Sequence, residues 1–122
     1  MTDPHAVQPP VLELEQIDGL VAAAGVAGAQ EILQTFWQST ESLLEHLVVQ
    51  IGEGDAEQAA KTAHALKGSA ANVGARRLAE LAKNIEECCM KADRGDPAHC
   101  LGKAQEVFAE TRSAFEAHLA AA

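Results

Sequence analysis

The sequence predicts an all-α protein, folded as an antiparallel up-down four-helix bundle with a short extra N-terminal helix. Its 122 residues are one ordinary domain's worth of chain. Alanine, the best helix former, occurs 25 times, whereas the β-favouring aromatic residues number four. Apolar residues recur at steps of three and four along four long segments, and glycines or capping residues separate these segments.

The N-terminal region is predicted to contain an arm and a short helix. Residues 1–10 hold three prolines and no apolar periodicity, so we expect a flexible arm followed by one domain over residues 11–122. A short helix is predicted from Glu13 to Ala24, interrupted at Gly25. The first long helix follows and ends near Gly52. Its predicted inward stripe is Ile32, Phe36, Thr40, Leu43, Leu47 and Ile51.

The other three long helices have clear boundaries. Asp55 is a good N-cap for the second helix, which ends or bends at Gly74. The third runs from Ala75 to about Asp93–Gly95, and Asp96 with Pro97 opens the fourth. Short connections make neighbouring helices antiparallel. The predicted inward residues are Ala59, Ala63, Leu66, Ala70 and Val73; Leu78, Leu81, Ile85 and Cys88 or Cys89; and Leu101, Ala104, Phe108, Phe115 and Leu119.

Charge and cysteine content argue against several classes of function. The formal net charge of -9 disfavours nucleic acid and anionic membrane surfaces as partners. No apolar run approaches the ~20 residues that a membrane span needs. Cys88, Cys89 and Cys100 are too few for a disulfide framework, and no secretory leader is apparent. We therefore expect a soluble, cytoplasmic protein.

The outward face of the second helix is unusual. At about 100° per residue, His64 points away from the alanine-rich inward stripe. Gly68 lies on the same face, although a glycine inside a helix costs about 1 kcal/mol relative to alanine. Either it is tolerated or helps two helices to pack, or it leaves room for a molecule that approaches His64. The other neighbours on this face are Ala60, Lys61, Lys67 and Ala71.

Basic residues are concentrated around this histidine. Residues 61–83 contain five basic residues and one acidic residue, a net charge of +4, so the other 99 residues carry -13. Such cations would screen a phosphoryl dianion and favour docking of an acidic partner site. A solvated helix face, which normally mixes both signs, is the alternative. The five basic residues are Lys61, Lys67, Arg76, Arg77 and Lys83.

The run from His64 to Ala75 reads HALKGSAANVGA and continues as RRLAEL. It resembles the signature of histidine-containing phosphotransfer (HPt) domains, the intermediates of multistep phosphorelays, and the resemblance covers about residues 14–120. It implies that His64 accepts a phosphoryl group from the receiver domain of a hybrid sensor histidine kinase. His64 would then pass this group to the receiver aspartate of a response regulator.

The resemblance also assigns roles to other residues. Lys67 would lie beside the phosphoryl group, and Gly68 would leave room for the receiver. Glu86, on the third helix, would orient the imidazole, unless it is an ordinary solvated glutamate. The expected contacts with the partner are Ala60, Lys61, Ala71, Arg76, Arg77 and Lys83.

A protein of this kind would need no cofactor of its own, because the receiver brings Mg²⁺. It would act as a monomer, with neither autokinase activity nor a substrate pocket. Two other interpretations stay open. A plain helical adaptor would bind partner proteins through the alanine-rich face. A metal site would use Cys88, Cys89, His99 and Cys100, although adjacent cysteines lack the usual C-x-x-C spacing.

Overall fold

The computed structural model describes residues 9–91 and 95–121, and these form four α-helices: α1 (Leu14–Gly52), α2 (Ala56–Asn72), α3 (Arg76–Met90) and α4 (Pro97–Ala120). α1 and α3 each pack against both α2 and α4, which closes the four helices into a bundle. The all-α, four-helix prediction is therefore confirmed. No helix in the described part of the chain is both long and apolar enough to cross a membrane.

α1 contains the predicted short N-terminal helix as its first part. Gly25 has φ 75° and ψ 169°, which lies outside the helical region and breaks α1 into two helical segments, residues 14–24 and 26–52. This left-handed φ suits glycine, which has no Cβ to clash. Residues 1–8 of the predicted arm lie outside the described residues. Pro9 is held by Arg77, whose Nε donates to the Pro9 carbonyl at 3.0 Å.

The core of the bundle contains most of the predicted inward residues. On α1 the prediction is wrong at Ile32, which is 42% exposed, whereas the next residue, Leu33, is buried. Neighbouring residues are rotated by about 100° around the helix axis. The buried stripe of α1 therefore includes Leu33 and leaves Ile32 facing solvent. Around Trp37, an aromatic cluster fills the space between α1 and α4, with ring centroids 5.1–5.8 Å apart. Its other members are Phe36, Phe108 and Phe115.

The predicted helix caps are present. The Asp55 side chain accepts from the Gln58 N–H at 3.2 Å, and the Asp96 side chain accepts from the Ala98 N–H at 3.0 Å. Pro97 is the first residue of α4. α3 ends at Met90, a few residues earlier than predicted. The predicted end at Asp93 and Arg94 lies outside the described residues.

The N-terminal segment fixes the turn between α2 and α3. The Glu13 N–H donates to the Gly74 carbonyl at 2.7 Å. The Gln16 amide donates to the carbonyls of Ala71 and Asn72 at 2.8 and 2.9 Å, and so caps the last turn of α2. Since α2 and α3 carry the candidate site, these bonds set the relative position of its two halves.

Candidate functional site

His64 projects from the outer face of α2. Its side chain is 66% exposed, whereas Ala63 and Leu66 on the same helix are fully buried. The outward direction that the helical periodicity predicts is therefore the observed one. The histidine also borders an open groove between α2 and α3, so a large molecule can reach the ring without any movement of the bundle.

A glutamate on α3 binds the imidazole. Glu86 Oε2 lies 2.8 Å from His64 Nδ1, and Glu86 Oε1 accepts from the Lys67 ammonium at 2.9 Å. The two oxygens of one carboxylate thus join both side chains, which lie one helical turn apart on α2. The predicted neighbour of the imidazole is in place, and the alternative of a freely solvated glutamate does not describe it, since its side chain is 17% exposed.

The charge of Glu86 determines which ring nitrogen of His64 carries the proton. Burial raises the pKa of Glu86, but the hydrogen bonds from Lys67 and His64, together with the attraction of their charges, outweigh it and hold the pKa below its ordinary value of 4.5. The carboxylate is therefore ionised near neutral pH and can only accept hydrogen bonds. We assign the proton to Nδ1, which donates to Glu86 and leaves the lone pair on Nε2.

Gly68 is not required by the packing of the bundle. A Cβ atom built on this residue would meet nothing within 4 Å. Its φ is not positive, so the backbone conformation does not demand glycine either. Close helix packing is thereby removed as a reason for Gly68, which leaves a tolerated glycine or room for a molecule that approaches His64. One turn away, Ala71 is also exposed, and together the two small residues leave open surface beside Lys67.

The groove beside His64 is mainly apolar and has a volume of about 540 Å³. Ala60 and Lys61 line it from α2, and Glu86, Cys89 and Met90 line it from α3. Met90 is 68% exposed, a high value for a large apolar side chain. Sequence reasoning missed the exposed Met90. Its position four residues after Glu86 was the available signal, because residues i and i+4 share one helix face.

The predicted basic residues lie in three different places. Lys67, Arg76 and Lys83 border a second groove that extends from Lys67, and Arg76 is paired with Glu13 at 3.0 Å. Lys61 lies beside His64 and pairs loosely with Glu57 at 3.7 Å. Arg77 departs from the prediction, because its guanidinium turns towards α4 and binds Glu110 at 3.1 Å. Because Arg77 follows Arg76 directly, its side chain is rotated by about 100° around α3 and leaves the face that borders His64.

The cysteines do not form a cluster typical of a metal site. Within residues 9–91 and 95–121, no group of three or more His, Cys, Asp or Glu residues is arranged to hold a metal ion. Cys88 and Cys100 approach each other, with 3.7 Å between their Sγ atoms. Cys89 lines the groove beside His64 instead. Within the described residues, none of the three forms a disulfide.

Comparisons with known proteins agree with this arrangement. A family model described as the Hpt domain matches residues 31–121. The fold is similar to the crystal structure of histidine-containing phosphotransfer protein B (HptB) from Pseudomonas aeruginosa PAO1, with a TM-score of 0.83, 26% identity, and coverage of 93% of this chain and 97% of that chain. The X-ray structure of a putative histidine-containing phosphotransfer protein from rice is also similar, with a TM-score of 0.77, 18% identity, and coverage of 87% of this chain and 79% of that chain. No curated protein matches significantly.

Proposed function

We propose, from the premise that this chain belongs to the Hpt domain family, that His64 is the residue that carries the phosphoryl group. The protein is a histidine phosphotransfer relay intermediate, and the partners of this family are receiver domains of two-component systems. The observation that carries the assignment of His64 is its bond to Glu86, because in the neutral ring this bond holds the proton on Nδ1 and leaves the lone pair on Nε2 of an exposed imidazole.

In the proposed transfer, His64 Nε2 attacks the phosphorus of an aspartyl phosphate on the receiver. As the N–P bond forms, the O–P bond to the aspartate breaks and the aspartate leaves as a carboxylate. The imidazole ring gains positive charge, and the Glu86 carboxylate on Nδ1–H stabilises that charge. The reverse sequence delivers the phosphoryl group to a second receiver aspartate. Positioning and charge stabilisation are the main requirements of such a loose transition state.

Lys67 is proposed to stabilise the phosphoryl group on His64. In the unphosphorylated protein its ammonium binds the same carboxylate as the imidazole, at 2.9 Å. The side chain is one-third exposed, which leaves the long lysine stem free to turn. A phosphoryl dianion on Nε2 would be a second anionic acceptor for this ammonium.

The proposed docking surface combines Gly68 and Ala71 with the apolar groove and the basic residues Lys61, Arg76 and Lys83. Its small and apolar parts allow close approach, and its cations attract an acidic partner. We propose the receiver of a hybrid sensor histidine kinase as donor and that of a response regulator as acceptor. The receiver would supply Mg²⁺, and this chain would need no cofactor of its own.

We further propose that the protein works as a monomer in the cytoplasm. A second copy bound over His64 would block the surface that the receiver must reach. Three cysteines that form no disulfide within the described residues fit a reducing compartment.

The test is phosphotransfer from a labelled receiver to His64→Gln. We expect this variant to take up no label, while its helical circular dichroism stays unchanged. Label on the wild type should be acid-labile and alkali-stable, as expected for phosphohistidine. His118→Gln is the matched control, because His118 Nε2 also binds a carboxylate, that of Asp18, at 2.8 Å. Label retained by the His64 variant, or lost only from the His118 variant, would refute the assignment.

A further inference from the structure

Two thiols meet where α3 ends and α4 begins. Cys88 and Cys100 are 12 residues apart in sequence, and their Sγ atoms are 3.7 Å apart. Cys88 is buried and Cys100 is half-buried. Phosphotransfer as proposed above uses neither of them, since His64, Lys67 and Glu86 lie on other faces of α2 and α3.

We propose that Cys88 and Cys100 form a redox site, at which a peroxide oxidises the two thiols to a disulfide that joins α3 to α4. A disulfide has an S–S length of about 2.05 Å, so the sulfur atoms must approach by roughly 1.7 Å. Both residues lie in terminal turns, Cys88 in the last turn of α3 and Cys100 in the first turn of α4. Terminal turns can move by this amount while the rest of the core stays packed.

Access indicates which thiol reacts first. Cys100 borders a groove of about 410 Å³ between α3 and α4, through which a small oxidant can approach. Cys88 lies behind it: burial and the hydrogen bond with Cys100 raise the pKa of the Cys88 thiol to about 11. Cys88 therefore stays protonated near neutral pH and is a poor first target for oxidation.

The reaction balances with one peroxide for each disulfide. The Cys100 sulfur attacks a peroxide oxygen, the O–O bond breaks, and Cys100 becomes a sulfenic acid with release of water. The Cys88 sulfur then attacks the Cys100 sulfur, the S–O bond breaks, and the hydroxyl leaves as water with the Cys88 proton. Two thiols are oxidised and one hydrogen peroxide is reduced to two waters. The short distance between the two sulfurs favours the second step over further oxidation.

Cys89 is the natural comparison within the same chain. It is adjacent to Cys88, but its side chain lines the groove beside His64 on the α2 side of α3. Because Cys89 lines this groove instead, Cys89→Ser is a control that should leave oxidation intact. Cys88→Ser and Cys100→Ser should each abolish the bridge.

The experiment is treatment of the full chain with hydrogen peroxide, followed by thiol counting, intact mass and peptide mapping. The thiol count should fall from three to one, with a mass loss of about 2 Da and a Cys88–Cys100 cross-linked peptide. The melting temperature should rise by roughly 5–10 °C, because the bridge restricts the unfolded chain, and reductant should reverse the change.

Three results would overturn the proposal. They are a bridge that contains Cys89, a cross-link between two molecules, and a sulfinic acid on Cys100 with Cys88 still reduced. Mapping on the wild-type chain distinguishes all three even if a serine variant folds poorly. The phosphotransfer assay on His64→Gln does not depend on these results, so each proposal can fail separately.

Discussion

At the scale of single residues, the bond between Glu86 and His64 makes a prediction about the tautomer of the imidazole. In Glu86→Ala, Nδ1 loses its acceptor, so the nitrogen shifts of His64 in NMR should move from the Nδ1–H form towards the Nε2–H form. Phosphotransfer should slow by roughly tenfold to a hundredfold, because the nucleophile is no longer oriented. Glu86→Gln, whose amide oxygen can still accept from Nδ1–H, should retain the tautomer and most of the rate. Unchanged nitrogen shifts in Glu86→Ala would contradict this role.

The same carboxylate makes the stability of the fold depend on pH. Because folding lowers the pKa of Glu86 from 4.5, its contribution to stability is complete above pH 4.5 and is lost as the pH falls through the lower folded value. We therefore expect the difference in unfolding free energy between wild type and Glu86→Gln to be larger at pH 7 than at about pH 3. Urea denaturation at both pH values measures it. An equal difference at both would show that the charge of Glu86 is not involved.

Gly68 is predicted to favour function over stability. Gly68→Ala adds a Cβ that meets no other atom, so it should stabilise the protein by about 0.5–1 kcal/mol. If the open space belongs to the receiver, the same change should slow phosphotransfer, and Gly68→Gln should slow it further. Gly102→Ala is the matched control, since Gly102 is also an exposed helical glycine with no neighbour around its Cβ position.

The control should give the same stabilisation with an unchanged transfer rate. Normal transfer in both Gly68 variants would show that the receiver does not approach this residue. Chemical denaturation and rapid-quench transfer assays on the same preparations supply the two measurements.

At the scale of elements, the turn between α2 and α3 carries the strictest requirement for glycine. Gly74 has a φ of 81°, and a Cβ there would lie 3.2 Å from the carbonyl oxygen of Glu13, the residue whose N–H donates to the Gly74 carbonyl. Gly54, in the turn between α1 and α2, has a similar φ of 73° but open space around it. We expect Gly54→Ala to cost about 1 kcal/mol and Gly74→Ala to cost more, in denaturant unfolding. Equal costs would mean that the Glu13 contact is unimportant.

The elements also show how far the sequence predicts the site. Helix identity, the Asp55 and Asp96 caps and the break at Gly25 follow from local chemistry, and all of them are present. Periodicity alone leaves an uncertainty of about one residue, or 100°, in the rotation of a helix. This is the size of the errors at Ile32 and Arg77.

Contacts between helices account for the residues that sequence reasoning could not place. The carboxylate of Glu86 reaches both His64 and Lys67 only because α2 packs closely on α3 through its buried alanines. The exposure of Met90 likewise depends on where α3 ends, which is a few residues before the end that the sequence predicts. The positions of these side chains follow from tertiary packing, which spacing along one chain does not determine.

At the scale of the whole molecule, the surface around His64 is cationic on a protein whose net charge is -9. Several of its cations are bound by acidic side chains of the same chain: Lys67 by Glu86, Arg76 by Glu13 and Lys61 by Glu57. In the described part of the chain, Lys83 forms no ion pair and borders the groove that extends from Lys67. An exposed, unpaired charge contributes most to the field that an approaching partner meets.

Charge reversal at Lys83 tests whether this local field outweighs the net charge in guiding the receiver. Lys83→Glu should slow association with the receiver several-fold at low ionic strength, because interactions between exposed charges reach about 10 Å at 0.1 M salt. Lys103→Glu changes the net charge by the same amount, but Lys103 borders the groove between α3 and α4, away from His64. If position matters more than net charge, the Lys103 variant should associate at the wild-type rate and high salt should remove the defect at Lys83. Stopped-flow measurements at two salt concentrations separate these effects, and equal slowing in both variants would assign steering to the total charge.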